Sequence, residues 1–465
     1  MDIADDVATL GKLARGDYAA AMMVDGRNSM AGAAQADLTD RLGRDRVVLG
    51  EMARKLCGFD PSSRDGPVAV VRPCSAEQVE HVVRIGRLRH LPVEVRGHLP
   101  ALLPDDLRDA IVLDSSGLCR PPTVDISRRV VTVGAGIDLA IADRAARQAR
   151  LCLRTLPGTF AGESVGALLS AGDPGELGLG NGSLLSDVVS AQVVTGSARV
   201  LRLGASDLFG QPPWLADGVP QPLPLLLGAE GRMAVLCEVT LRLHRTPHVS
   251  WSQVDFTANR PQLLAILSAA RTVVSMQLCD TVLVQEHQGQ GHLAVRAVTW
   301  RGADELVRVC AQVQDVLKQH GIQLPAFVAE EPRTRLGQAP MPQVRQPATR
   351  AATLDLRVAW PDVSAVLDVV DALAAEGGPL LGRRWSLGMD FMRLQCTLPG
   401  TRADLHPLVQ RISLIADAGA LPISSGARLR TVSRERMAAP AKILLAALAR
   451  AWDPDAVLSP KGGFP

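Results

Sequence analysis

The chain has 465 residues, 47% of them hydrophobic and 21% charged, and its 50 basic and 48 acidic residues leave a formal net charge of +2. That length fits two or three domains of ~100–200 residues each, and the apolar content fits a water-soluble protein with a large core. Nearly balanced charge excludes a nucleic-acid scaffold, which needs a one-sided basic excess.

Aromatic residues are only 3%, with Tyr18 the single tyrosine, so leucine, valine and alanine must fill the core. The eight cysteines are scattered without a CxxC pair. In a chain of this size that pattern predicts buried thiols of a reducing compartment, not a disulfide frame. The start, MDIADDVATLGKL, is acidic and lacks an apolar h-region, and no run approaches ~18 apolar residues. A cytoplasmic location without a transmembrane segment is expected.

Residues 1–65 read as an N-terminal helical segment with glycine breaks. From Pro67 the texture changes. "VAVVRP" is a strand stopped by Pro73, and Ser75 opens a helix with Gln78 three residues on and Val79, Val82, Val83 and Ile85 along one side. "PVEVR" is the next strand, which completes a strand–helix–strand unit of about thirty residues. "AIVLD" and "TVDISRRVVTVGAGI" are β-rich, the second turning at Ser127-Arg128-Arg129, and "DLAIADRAARQARL" is an amphipathic helix. "RTLPGTFAGESVGALLSAG" is a glycine-punctuated loop, "SDVVSAQVVTGSARVLRLG" a hairpin about Gly196-Ser197, and "LCEVTLRLHRTP" a strand ended by Pro247.

After Pro247 the strands lengthen and a strand–helix–strand–helix order occurs twice, with a polar, Pro-rich connection over 324–350 between the two halves. That connection is too long for an ordinary loop and is read as mobile or as an insertion over a site. The two halves predict one antiparallel sheet backed by helices. The tail holds a Leu/Ala helix stopped at Asp453-Pro454.

In this order the pieces resemble the FAD-binding superfamily of vanillyl-alcohol oxidases and p-cresol methylhydroxylases, and within it the FAD-binding subunits of glycolate oxidase and D-2-hydroxyacid dehydrogenases. Residues 67–97 resemble the family's opening strand–helix–strand, and Pro157, Gly158, Ser164, Val165 and Gly166 its Pro-Gly…Ser-Val-Gly segment. Gly182 and Asp187 fall in its hairpin motif, Glu230, Gly231 and Val235 in its Glu-Gly…Val segment, and "WDPDAVLSPKG" resembles its closing motif. The resemblance implies an α+β chain in four parts. These are the helical segment 1–65, a two-subdomain FAD-binding domain over 66–247, an antiparallel-sheet cap over 248–440 with helices on one face, and a tail, 441–465, returning to the FAD domain. It implies FAD held by Arg96, Gly97, His98 and the motif residues above, with glycines letting backbone approach the cofactor.

The chain departs from the family's pattern in several places. His98, Leu99 and Pro100 follow Gly97 where the family carries further glycines and a Thr or Ser, and a proline offers no N–H to a phosphate. Ala167 and Ala234 each replace a family glycine. Some superfamily members link flavin covalently through a histidine in this loop, so His98 is either such an anchor or a bystander, with non-covalent FAD the favoured expectation. His287 and His292 flank glycines in "QEHQGQGHL", which a hairpin turn explains without a metal. Asp114, Asp125 and Asp138 read as caps. Arg383, Arg384 and Arg393 are candidates to clamp a substrate carboxylate or, alternatively, an ion-paired face. The functional expectation is oxidation of a small alcohol or 2-hydroxy acid, glycolate- or D-lactate-like, by hydride transfer to flavin N5, with a partner subunit or electron acceptor possible in principle. The alternative is a non-catalytic homologue serving an assembly.

Overall fold

Ser75 starts the first α/β unit. Its Oγ accepts from the Gln78 N–H, and the Gln78 side chain accepts from the Cys74 N–H, so both ends of the cap are satisfied. The computed structural model describes residues 30–63, 65–97, 107–153, 164–172, 184–204, 215–216, 219–220, 222–229, 231–275, 279–287, 290–329, 351–377, 382–387, 391–399, 420–422 and 439–458. His98, Pro157, Gly158, Gly182, Glu230, most of the Pro-rich connection and the helix expected over 402–419 lie outside them.

Helices α1 (30–42) and α2 (Gly50–Leu56) precede a four-stranded sheet. In it β2 (Ala69–Val71), β4 (Ile111–Asp114) and β3 (Val93–Arg96) run parallel, and β1 (Val47–Val48) pairs antiparallel at the β2 edge. Helix α3 (Ala76–Leu88) makes the crossover and buries Val79, Val82, Val83 and Ile85, the side expected from the spacing.

A second sheet is wholly antiparallel, in the order β5 (Thr123–Asp125), β6 (Val130–Gly134), β12 (Ala234–Arg242), β8 (Val188–Thr195), β9 (Val200–Gly204). Asp138 caps α4 (Leu139–Gln148) by accepting from Ala140 N–H. Asp114 caps a single 3-10 turn after β4, and Asp125 accepts from Ser127 and Arg128 in the β5–β6 turn. A short ribbon joins β7 (Leu151–Cys152) to β13 (His244–Arg245), a second joins β10 (Leu215–Ala216) to β11 (Val219–Pro220), and helices α5 (Val165–Ala171) and α6 (Leu223–Leu226) complete the domain. Both sheets share one apolar core.

The chain leaves this domain at Pro247 and builds an eight-stranded antiparallel sheet. Its order is β17 (Val328–Ala329), β14 (His248–Thr257), β16 (Gln290–Thr299), β15 (Cys279–His287), β19 (Gly382–Leu387), β20 (Phe391–Pro399), β18 (Ala351–Ala359), β21 (Ala420–Pro422). Each half is a strand, a helix and a hairpin, and the halves meet where β15 pairs with β19, so the repeat visible in sequence is a pseudo-twofold in space. The helices α7 (Arg260–Ser275), α8 (Ala303–Gln319) and α9 (Val363–Gly377) cover one face. They bury Leu263, Leu267, Ala270 and Val274 on α7 and Leu306, Val309, Val313 and Leu317 on α8, the 3.6-residue stripe of a surface helix. Fully buried Trp385 centres this second core.

The tail returns. On α10 (Ala439–Trp452), Leu445, Leu448 and Trp452 pack against the first domain's core. Asp453, 7% exposed, then accepts from the N–H groups of Val457 (2.8 Å) and Leu458 (2.9 Å). Val457 O accepts from Val93 N–H, and Trp452 O from Ser197 N–H, so the tail ties a strand of the parallel sheet to a turn of the antiparallel one. Among the described residues no helix is long and apolar enough to cross a membrane.

Candidate functional site

Strand β3 ends against the start of α5. A Cβ built on Gly97 would lie 2.5 Å from the Ala167 methyl carbon and 3.5 Å from Ser164 Oγ. Ser164, fully buried, caps α5 by accepting from Ala167 N–H. The next donors are also used inside the protein: Val165 N–H goes to Ile137 O (2.8 Å) and Gly166 N–H to Ala135 O (2.7 Å). Gly166 was expected to let backbone approach a cofactor. Its space is instead taken by Ala135, whose carbonyl oxygen would sit 2.9 Å from an added Cβ. The glycine serves helix-to-turn packing, and its N–H is not a phosphate donor.

Beside this junction Gly231 adopts φ +76°, a left-handed conformation that favours glycine, with Val95 of β3 2.9 Å from an added Cβ. Val235 is fully buried and pairs with Val194, so it acts through the sheet. Arg96 is mostly buried and bonds Glu94 at 3.3 Å.

Asp187 ends the turn that leads into β8 and is 3% exposed. Its Oδ1 lies 3.0 Å from His244 Nε2, while Oδ2 is buried without a hydrogen-bond partner among the described residues. His244 stands opposite Cys152 in the β7–β13 ribbon. Burial pushes the Cys152 thiol up to about 11, with Asp143 and Asp187 adding to the rise and Arg147 and Arg296 opposing it. Arg296 comes from β16 of the cap, is 1% exposed, and lies 5.8 Å from the Trp251 ring. His244, Cys152 and Arg296 were not singled out from sequence. The signal for Arg296 was there: one charged residue inside the apolar alternation of "HLAVRAVTW".

The cap arginines divide between two faces. Arg383 is turned to the helix layer, where it pairs with Asp371 of α9. This takes it out of the set proposed to clamp substrate, because its charge is already matched. Arg384 and Arg393 occupy positions on the opposite face, since their strand neighbours Trp385, Met392 and Leu394 fill the core. On that open face His292 Nδ1 lies 2.5 Å from Asp255 Oδ1, beside a cavity of about 420 Å³ lined by both. The hydrogen bond to His292 holds the Asp255 carboxyl below the usual carboxylate value. Strands β15 and β16 pair up to His287–Gln290, with two residues between, which is the expected hairpin. Among the described residues no three His, Cys, Asp or Glu side chains gather as metal ligands.

One domain is packed through close approaches at Gly97 and Gly231, and the chain after Pro247 forms an eight-stranded antiparallel sheet. Residues 67–204 match the family described as "FAD binding domain". A D-lactate dehydrogenase of Archaeoglobus fulgidus is 25% identical over 214 residues, 45% of this chain and 46% of that protein, so the chain spans about half the length of this curated relative. Among solved structures, 4-ethylphenol oxidase from Gulosibacter chungangensis superposes with a TM-score of 0.73 at 16% identity, covering 94% of this chain and 97% of that one. Substrate-bound p-cresol methylhydroxylase gives 0.70 at 14% identity, covering 93% and 96%. Residues 67–204 thus match an FAD binding domain, whose cofactor is FAD, and the chain has the fold of these two oxidase structures. Asp187 Oδ2, a buried acceptor suited to a hydroxyl or N–H, fits the group, whereas the space beside Gly97 and Gly231 is taken by Ala167 and Val95.

Proposed function

We propose that the chain is a cytoplasmic FAD-dependent oxidoreductase that oxidises a small 2-hydroxy acid or alcohol. Residues 66–247 and the tail 441–465 would form the cofactor domain, and residues 248–440 the substrate roof. The observation that carries the reading is the FAD-binding-domain match over 67–204, set beneath a cap whose open face holds arginine positions 384 and 393. The similarity to a D-lactate dehydrogenase supports an acid substrate. When bound, FAD supplies the hydride acceptor, its N5. The protein's part is to hold FAD through Arg96, Gly97, Asp187, Glu230 and Gly231, to orient a carboxylate with arginine, and to exclude water.

One observation favours the second reading, a homologue that no longer turns over. The first N–H groups of α5 are all donated to protein acceptors, so this helix start gives a pyrophosphate nothing. The visible spectrum of the purified protein, before and after acid precipitation, is the test, followed by anaerobic addition of D-lactate or glycolate. Flavin bands that go to the supernatant and bleach with substrate support the enzyme with non-covalent FAD. Bands that stay in the pellet make His98 a covalent anchor. A colourless protein that takes up no added FAD leaves only the non-catalytic reading.

A further inference from the structure

Gly117 lies where two connections of the first domain touch. One runs from β2 to α3 through Arg72, Pro73 and Cys74, and the other from β4 to β5 through Leu118, Cys119 and Arg120. They are neighbours because β2 and β4 pair in parallel, Val71 opposite Leu113, so both leave the sheet at the same end. A Cβ built on Gly117 would lie 2.4 Å from Pro73 O, the oxygen of the peptide that joins Pro73 to Cys74. On the other side, Cys119 N–H donates to Gly117 O at 2.8 Å. The residue between them, Leu118, has φ −78° and ψ 55°, an inverse γ-turn that folds Cys119 back on Gly117. Cys74 and Cys119 therefore flank one backbone contact, although they are far apart in sequence.

Among the described cysteines only these two are exposed, while Cys57, Cys152, Cys237, Cys310 and Cys396 are buried. Burial holds the thiols of Cys57, Cys152, Cys237 and Cys310 above their ordinary value, which keeps them protonated and unreactive. The exposed pair can meet an oxidant in solution, and neither residue sits in a paired strand. Leu118 O accepts from Gly136 N–H (2.9 Å) and Arg120 O from Gly134 N–H (3.0 Å), so Cys119 is anchored at the end of β6, in the antiparallel sheet. Cys74 follows β2 of the parallel sheet and stands just before the Ser75 cap. A bond between the two sulfurs would fasten one sheet to the other, inside the residues 67–204 that match the FAD binding domain.

We propose that Cys74 and Cys119 form a redox pair, oxidised by a hydroperoxide to a disulfide and returned to thiols by a small thiol reductant. One thiol attacks the peroxide: the O–O bond breaks, the sulfur becomes a sulfenic acid, and water or an alcohol leaves. The second thiol attacks that sulfur, the S–S bond forms, and the sulfenic oxygen leaves as water with the second thiol's proton. Two electrons pass from the two sulfurs to the peroxide, and two reductant thiols later return them as they form their own disulfide. A disulfide needs Cα atoms about 4.4–6.8 Å apart. Small shifts of two unpaired connections that already touch at Gly117 bring the pair into that range.

The full-length, FAD-supplemented protein is reduced, freed of reductant, treated with equimolar hydrogen peroxide, blocked with N-ethylmaleimide and digested without reduction. Peptide mass spectrometry is expected to find Cys74 joined to Cys119 within one chain, and to lose the linked peptide after dithiothreitol. The melting temperature is expected to rise on oxidation and fall back on reduction, because the bond closes a long loop of chain. Cys74→Ser and Cys119→Ser, both at exposed positions, are each expected to melt like the reduced native chain and to abolish the link and the rise. Sulfinic acid on both residues of the native chain, or disulfides formed only between two molecules, overturns the inference. An unchanged melting temperature in the linked protein overturns the fastening of the two sheets.

Discussion

Gly97 and Ala167 fill one another's space. The family's second glycine in the Val-Gly-Gly segment is Ala167 here, and its methyl carbon sits 2.5 Å from where a Gly97 Cβ would be. Two alanines cannot share that gap without moving β3 or α5, and overpacking of this kind costs about 1–3 kcal/mol. Gly97→Ala is expected to lower the melting temperature and weaken FAD retention. Ala167→Gly in the same chain is expected to restore both, because the two changes act on one contact. Thermal melts and flavin content of the two single variants and the double variant check this. Additive losses would show that the contact does not hold the loop in place.

Asp453 is expected to be the residue that keeps the tail on the body. Its carboxylate satisfies two backbone N–H groups, and Asp453 Oδ1 lies 2.1 Å from where a Gly196 Cβ would sit. Asp453→Ala leaves two buried donors unpaired at about 1–3 kcal/mol each. Gly196→Ala should reach a similar result by sterically expelling the same carboxylate. Limited proteolysis followed by mass spectrometry is expected to show early release of α10 in both variants and not in the native chain.

Much of this architecture was legible in the sequence. The Ser75 cap, the α3 stripe, the β8–β9 hairpin and the doubled strand–helix order of the cap all depend on local period and turn chemistry, which a sequence carries directly. The site was legible only in part. Gly166 sits in the right motif, yet its freedom is spent on Ala135, a residue thirty-one positions earlier that only the fold brings near. Arg383 and Arg384 are neighbours in the chain and opposites in function, because a strand turns successive residues to different faces. The Asp187–His244 pair spans the domain from its hairpin to its last strand, and no local pattern signals it.

Cysteine chemistry gives a pH-dependent test. Burial raises the thiols of Cys57 and Cys152 to about 11 and that of Cys237 to about 12, from an ordinary value of 9.0. A group whose pKa is raised by folding contributes stability below the unfolded value and loses it as pH rises through the folded value. Stability is therefore expected to decline between pH 9 and 11, where an unfolded chain ionises thiols that the folded chain keeps neutral. At pH 8 a short pulse of iodoacetamide is expected to mark exposed Cys74 and Cys119 and to spare Cys57, Cys152 and Cys237, as peptide mass spectrometry will read. Rapid labelling of Cys152 in the folded protein would mean that the β7–β13 ribbon opens.

Asp187 ties the turn before β8 to β13, from which the chain leaves the first domain, and its two oxygens have separable tasks. Oδ1 is bonded to His244 at 3.0 Å, which fixes the ribbon through which the chain leaves for the cap. Oδ2 is buried with no partner among the described residues, a state that costs about 1–3 kcal/mol unless a donor arrives. A cofactor hydroxyl or N–H would supply that donor. Asp187→Asn keeps the shape and can still accept from His244, but it presents an amide where the second acceptor stood. The variant is expected to melt within a few degrees of the native chain when FAD is absent, yet to bind FAD about tenfold more weakly or worse, the loss of one hydrogen bond to a charged acceptor. Fluorescence titration of the apoprotein with FAD reads the affinity, and calorimetric melts of the same apoprotein read the fold. If both fall together, Asp187 is a structural strut for His244. If FAD affinity falls alone, Oδ2 faces the cofactor.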